Sequence, residues 1–208
     1  MKYYFYDLGA FDGKETLEMI KIFNELNISD YEIHCFEPSS KSYLDMKHCL
    51  TNACVDERVK CHKVAISQNQ GTIKLYHAAK GNEVGHSVFS TKCNVNQDDF
   101  EEVKSTVFST WLNDNIKDFN TSFNILKFNI EGAEYFLLKD LIDHDLINNF
   151  HILCGDAFDI LKIGELQSNI KDHMSNVDSL NSKIFEFSAQ GNMTHKMKEE
   201  MKNAILSR

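Results

Sequence analysis

The first thirteen residues constrain this chain most. Tyr3-Tyr4-Phe5-Tyr6 is an aromatic run that ends in Asp7, and Leu8-Gly9-Ala10-Phe11-Asp12-Gly13 then opens into an amphipathic pattern. A continuous apolar strand needs cover on both faces. A strand, a glycine turn and a helix N-terminus in succession make a site for a nucleotide-like ligand beyond the strand's carboxyl end. A second apolar run, Tyr31 to Phe36, also ends in an acid, Glu37.

The alternation continues down the chain. Residues 3–8 read as a strand, and 14–26 as a helix with Met19, Ile20, Phe23 and Leu26 on one face. Asp12 and Glu15 stand at capping-box spacing at its start. Residues 31–36 read as a strand, 40–50 as a helix and Val59 to Ile66 as a third strand. Ile73-Lys74-Leu75-Tyr76 reads as an added edge strand. Residues 78–106 look irregular and polar, with Gly81 and Gly85, and a long excursion inside a compact domain is often functional. A helix near 109–118, a strand from Phe123 to Ile130, a helix over 133–143 and a short strand from His151 to Cys154 follow. Residues 162–181 carry Ile163, Leu166, Ile170, His173, Val177 and Leu180 on one stripe, the pattern of one long helix. Ile184 to Phe187 reads as a last strand, and Met197, Met201, Ala204 and Ile205 mark a final amphipathic helix. Together these imply an α/β fold, a mostly parallel, doubly wound sheet with the first strand central and the fourth beside it.

The chain has 208 residues, enough for one domain over 1–208, and 42% are apolar. Its net charge is −9, from 22 basic and 31 acidic residues, without a dense Lys/Arg cluster. Nucleic acid and anionic membrane surfaces are therefore poor partners. No run approaches the ~18 apolar residues of a membrane span. No signal-like segment precedes the first strand, so a cytoplasmic protein is expected. The six cysteines, at 35, 49, 54, 61, 93 and 154, form no CxxC pair. They read as reduced, mostly buried thiols, with no metal site.

In open α/β sheets, ligands bind beyond the carboxyl ends of the strands. Asp7, Glu37 and Asn129 each fall there. Gly9 and Gly13 let the backbone turn tightly and approach a ligand. An acid at position 7 would repel a pyrophosphate but attract a cation, and S-adenosylmethionine carries both an ammonium and a sulfonium. Glu37 can accept hydrogen bonds from two vicinal ribose hydroxyls. The plainer alternative makes the glycines ordinary turns and the acids solvated strand ends.

Four segments, Asp7-Leu8-Gly9-Ala10-Phe11-Asp12-Gly13, Cys35-Phe36-Glu37-Pro38, Val64-Ala65-Ile66-Ser67 and Ile125-Leu126-Lys127-Phe128-Asn129-Ile130-Glu131-Gly132-Ala133-Glu134, resemble the FkbM-type family of S-adenosylmethionine-dependent methyltransferases in residues, order and spacing. The similarity runs from about residue 3 to about residue 155. It implies a Rossmann-like methyltransferase fold, with cofactor contacts from the loop that includes Gly9, Ala10, Phe11 and Gly13, ribose contacts from Glu37 and adenine-side contacts near Ala65. It implies methyl transfer to a hydroxyl, often on a sugar, glycan or small natural product. Two departures stand out. The family's Asp at the end of the fourth strand is Asn129 here, and no strand after 184–187 completes the usual C-terminal antiparallel pair, unless Gly191-Asn192 turns into one.

Glu131 is a candidate for acceptor-hydroxyl binding or base chemistry, or else a carboxylate stabilised at a helix N-terminus. Glu134, one turn further, reads as its structural companion. His86, in Gly85-His86-Ser87, is either a general base or a solvated loop histidine. His173 and Trp111 read as packing residues, whereas Phe11 and Phe36 could flank a cofactor or simply pack. Residues 78–106 would serve as a lid or acceptor-binding excursion, and 162–208 as a variable C-terminal part. A non-catalytic S-adenosylmethionine- or nucleoside-binding module is the competing function. A nicotinamide-dependent oxidoreductase is disfavoured by Asp7 and by the absence of Gly-x-Gly-x-x-Gly.

Overall fold

A computed structural model describes residues 1–79, 85–180, 184–186 and 195–207. Its centre is a six-stranded, all-parallel sheet. The strands are β1 (Tyr3–Leu8), β2 (Tyr31–Phe36), β3 (Val59–His62), β7 (Phe123–Phe128), β8 (Phe150–Gly155) and β9 (Ile184–Glu186), in the order β3-β2-β1-β7-β8-β9. This is a doubly wound, Rossmann-like sheet, and its order reverses at β1, which lies between β2 and β7. A crevice at such a switch point is where ligands bind in this architecture.

Side chains alternate across the strands, so each strand feeds two cores. On one face Tyr4, Tyr6, Leu8, Leu126 and Phe128 pack against Phe108 and Leu112 of α3 (Phe108–Asn115), Leu137, Leu138 and Leu141 of α4 (Glu134–Asp143), and Val177 of α5 (Ile170–Asp178). On the other, Phe5, Ile33, Phe123, Ile125 and Ile152 meet Met19, Ile22 and Phe23 of α1 (Lys14–Glu25), Met46 and Leu50 of α2 (Ser40–Asn52), and Met197, Met201 and Ile205 of α6 (His195–Leu206). Burial on both faces is why β1 and β7 are mostly apolar, with Asp7, Asn124 and Lys127 the polar exceptions. Burial of one large side chain contributes ~1.5–3 kcal/mol.

A second, three-stranded sheet sits on the chain between β3 and α3. Its order is β4 (Ala65–Ile66), β6 (Val95–Thr106), β5 (Gly71–Ala78). Here the structure corrects the sequence reading twice. The expected strand from Val59 to Ile66 is two strands in two sheets, because the chain leaves the main sheet after His62. The supposedly irregular stretch 78–106 contains β6, paired antiparallel with β5 from Gly71↔Ser105 to Ala78↔Val95. Residues 96–100 and 102 of β6 are exposed, so no apolar alternation marked it.

Two helix expectations also change. Gly13, in the left-handed region, is the N-cap of α1 and no side chain caps it, so Asp12 and Glu15 form no capping box. Asp12 instead accepts from the N–H of Lys14. The single helix expected over 162–181 is two 3-10 segments, Asp159–Lys162 and Gly164–Asn169, followed by α5. Its apolar stripe is real, since Ile163, Leu166, His173 and Val177 are buried, but Gly164 and the site beneath break the helix. His173 is the packed residue expected, with Nε2 2.6 Å from the carbonyl of Ala157. The possible turn at Gly191-Asn192 lies outside the described residues. Of the cysteines, Cys35 and Cys154 are buried, while Cys54 and Cys93 are exposed and Cys49 and Cys61 lie between, so "mostly buried" does not hold.

Candidate functional site

Three strand ends meet at the switch point. Gly9 and Ala10 donate to the carbonyl of Phe36 at 2.9 and 3.0 Å, and Asn129 donates to the carbonyl of Leu8 at 3.0 Å. The loop after β1 is left-handed at Gly9 (φ 76), Phe11 (φ 47) and Gly13 (φ 80). Three such residues in five place Phe11, a non-glycine in a rarely populated region, where a surrounding structure must hold it. Glu37 holds it. One Glu37 oxygen accepts from the Phe11 N–H at 2.9 Å, and the other from the Ser39 N–H at 2.9 Å. Glu37 is nine-tenths buried, and that burial pushes its carboxyl up to about 7 against the pull of the two N–H groups.

Asp7 departs from expectation. Its carboxylate is wholly buried, with one oxygen accepting from Thr16 Oγ1 at 2.7 Å and the other 2.8 Å from Lys127 Nζ. Lys127 also donates to the carbonyl of Gly9 at 2.6 Å. Burial works to lower the Lys127 ammonium, but Asp7 and Glu15 outweigh it and hold it above its ordinary value. Asp7 therefore already has its cation. It anchors the glycine loop from beneath and does not present a charge to a ligand's ammonium. Lys127 was legible as a lone lysine inside an apolar strand, since a fully buried lysine needs a partner.

A second cluster lies just past β7. Glu131 has a left-handed backbone (φ 58). Its side chain pairs with Lys92, and Lys92 Nζ also lies 3.6 Å from Asp159. Asp159 in turn pairs with Lys162. Lys92 and Asp159 are nearly closed to solvent, at 1% and 4% side-chain exposure, whereas Glu131 keeps 23%. Of the two carboxylates, Glu131 is thus the one that reaches solvent. Burial pushes its carboxyl up to about 7, Lys92 pulls it down and Asp159 pushes it up again. Asp159 is held low despite burial, by its hydrogen bond with Glu131 and by Lys162. So of these two carboxyls Glu131 is the one that holds a proton near neutrality. The sequence reading missed Lys92 and Asp159, which come from segments about forty and thirty residues away and carry no local signal.

Glu134 is structural, as expected. It accepts from the N–H groups of Gly132 (2.7 Å) and Ile160 (3.0 Å), and burial pushes its carboxyl up to about 8. The excursion does reach Glu131. Ser87 Oγ donates to the Glu131 carbonyl at 2.7 Å, and Gly85 approaches so closely that an added Cβ would sit 3.7 Å from its carboxylate. His86, between them, meets His77 edge-on with centroids 5.2 Å apart, and its Nδ1 accepts from the Ala78 N–H at 2.9 Å. Burial keeps it neutral below its ordinary range. Ala65 packs with Leu75 and Val103 under the small sheet. Phe36 stacks on His62 and meets Trp111 edge-on, so it is a core residue.

The ring stack beneath the site has a measurable consequence. Burial drives His34 down to about 3 and His62 to about 4. The unfolded chain takes up protons at these positions below its ordinary 6.5 that the folded chain refuses, so they lower stability as pH falls. The raised carboxyls of Glu37, Glu131 and Glu134 act oppositely above their ordinary 4.5, because the folded chain holds protons that the unfolded chain has lost. The two sets offset each other between 4.5 and 6.5. Below 4.5 the histidine loss is unopposed, and the melting temperature is expected to fall steeply there by circular dichroism. A melting temperature at pH 3.5 equal to that at pH 4.5 would contradict this account.

The strand order and covering helices define a Rossmann-like α/β protein with Glu37 at the carboxyl edge of its switch point. Glu37 keeps acceptor lone pairs beyond its two N–H partners, whereas Asp7 is engaged by Lys127 and Thr16. Among solved structures the chain is similar to the methyltransferase FkbM from Methylobacillus flagellatus KT, at 14% identity and a TM-score of 0.46, covering 84% of this chain and 37% of that one. The chain thus spans little more than a third of that protein. No protein-family model matches the sequence, and no curated protein does. Among the described residues no helix is long and apolar enough to cross a membrane.

Proposed function

We propose that this chain is an S-adenosylmethionine-dependent methyltransferase acting on a hydroxyl of a sugar, glycan or small natural product. Glu37 carries this reading. It is a carboxylate at the end of the strand beside β1, tied to the glycine loop through Phe11. Each of its oxygens has one N–H partner and lone pairs to spare for two vicinal ribose hydroxyls. The motif resemblance supports the same assignment. Gly9, Ala10, Phe11, Gly13 and Asn129 would line the cofactor side, with Ala65 toward the adenine.

When bound, the cofactor supplies a methyl group already activated on sulfonium. The chain then has to align the acceptor oxygen and accept one proton. Glu131 is suited to that task. It sits beyond the strand next to β1, reaches solvent and titrates near neutrality, where a general base works best. Lys92 and Asp159 orient it. His86 has one ring nitrogen occupied by Ala78 and stands as part of the excursion's wall.

The test is calorimetry with S-adenosylmethionine. The wild-type chain is expected to bind it, and Glu37→Gln to weaken binding by ~1–3 kcal/mol, the range for losing charged hydrogen bonds. Equal melting temperatures for the two proteins would exclude a folding defect. Absence of binding by the wild-type chain would overturn the proposal.

A further inference from the structure

A row of side chains crosses the main sheet at one level. The register aligns Cys61 with Cys35, Cys35 with Asp7, Asp7 with Lys127 and Lys127 with Cys154. All project to the face covered by α1 and α2, since register partners in neighbouring strands share a face. Lys127 neutralises Asp7 in the middle. At the β3 end two thiols stand side by side.

We infer that Cys61 and Cys35 are a peroxide-reactive thiol pair, in which a hydroperoxide oxidises Cys61 and Cys35 closes the disulfide between β2 and β3. Adjacent strands lie ~4.8 Å apart, inside the ~4.4–6.8 Å that a disulfide spans between Cα atoms. Both residues belong to the same buried cluster, and both are free thiols. β3 is the edge of the sheet, so Cys61 is half-buried and within reach of a small oxidant, whereas Cys35 is fully buried. The roles divide accordingly. The Cys35 sulfur lies 3.1 Å from the Thr16 hydroxyl, and its hydrogen is directed to Cys61. That hydrogen, with Lys47 nearby, brings the Cys61 thiol down to about 7. The lowered thiol holds more thiolate at neutral pH, the form that reacts with peroxide.

The chemistry balances without a further reactant. The Cys61 thiolate attacks one oxygen of hydrogen peroxide. An S–O bond forms as the O–O bond breaks, hydroxide leaves, the sulfur loses two electrons and the peroxide gains them. Cys35 then attacks the Cys61 sulfur. The S–S bond forms, the S–O bond breaks, and the departing hydroxide takes the Cys35 proton as water.

The experiment uses the reduced full chain with about one equivalent of hydrogen peroxide at pH 7, quenched by alkylation and read by peptide mass spectrometry. The expected result is a linked Cys35–Cys61 peptide lighter by two hydrogens. Cys61 should be consumed about threefold faster than exposed Cys54 and Cys93, because a lowered thiol gains thiolate while losing some intrinsic nucleophilicity. Cys61→Ser is expected to leave Cys35 reduced, and Cys35→Ser to let a sulfenic acid accumulate on Cys61, trapped as a dimedone adduct. Oxidation of Cys54 or Cys93 ahead of Cys61 in the unaltered chain, or a disulfide joining other cysteines, would overturn the inference whatever the variants do.

Discussion

Lys127→Met is expected to lower the unfolding free energy by about 3–5 kcal/mol, the range for leaving a buried charge without its partner. Lys127 is 1% exposed and sits between the Asp7 carboxylate and the Gly9 carbonyl. Methionine fills much the same space, so packing alone would cost little. What remains is the Asp7 carboxyl group without its cation and with Thr16 as its donor, in a layer closed by Cys35 and Cys154. Adding Asp7→Asn removes the orphaned charge and is expected to recover more than half of the loss. Urea unfolding of the two single variants and the double variant measures this coupling directly. A loss below about 1 kcal/mol in Lys127→Met would mean that Asp7 is not held as a buried anion.

Gly9→Ala is expected to cost about 3–5 kcal/mol, or to prevent folding. Its φ is 76, and an added Cβ would lie 2.0 Å from the backbone oxygen of Asn129. A left-handed residue with a Cβ costs roughly 1–2 kcal/mol, and overpacking adds a similar or larger amount. The obstructing atom belongs to the strand end beside it and cannot rotate away. Gly132 gives the contrast. Its Cβ would meet Ile163 Cδ1 at 1.9 Å, the far end of a side chain that can move, although its φ is 110. Gly132→Ala is therefore expected to be the milder change, and Gly164→Ala, 3.3 Å from a Thr91 side-chain atom, milder still. Thermal unfolding of the three variants ranks them. Gly9→Ala with near-native stability would show that β1 and β7 do not close on each other at this point.

Both variants probe places where distant strands touch, and that is also where sequence reasoning stopped. β1, β2 and β7 were legible nearly to the residue, because strands buried on both faces must be mostly apolar. β6 was not legible. Its polar residues face solvent, and its partner β5 supplied the hydrogen bonds that local pattern could not reveal. The 3-10 segments after β8 kept the apolar stripe of a helix while the backbone bent to deliver Asp159 and the Ile160 N–H to the site.

The candidate site divides along the same line. Its strand-end acids and glycines were visible because chain order places them at the carboxyl edge of any parallel sheet built this way. Their partners were not. Asp7 answering Lys127, Glu131 caught between Lys92 and Asp159, and Cys35 beside Cys61 are pairings across 26 to 120 positions. The sequence by itself determined the alternation of strand and helix, the faces to be buried and the residues at strand ends, since these follow from local periodicity and turn chemistry. Only the tertiary structure decided which charge meets which, because register and loop closure bring those groups together, and burial then sets whether each keeps its proton.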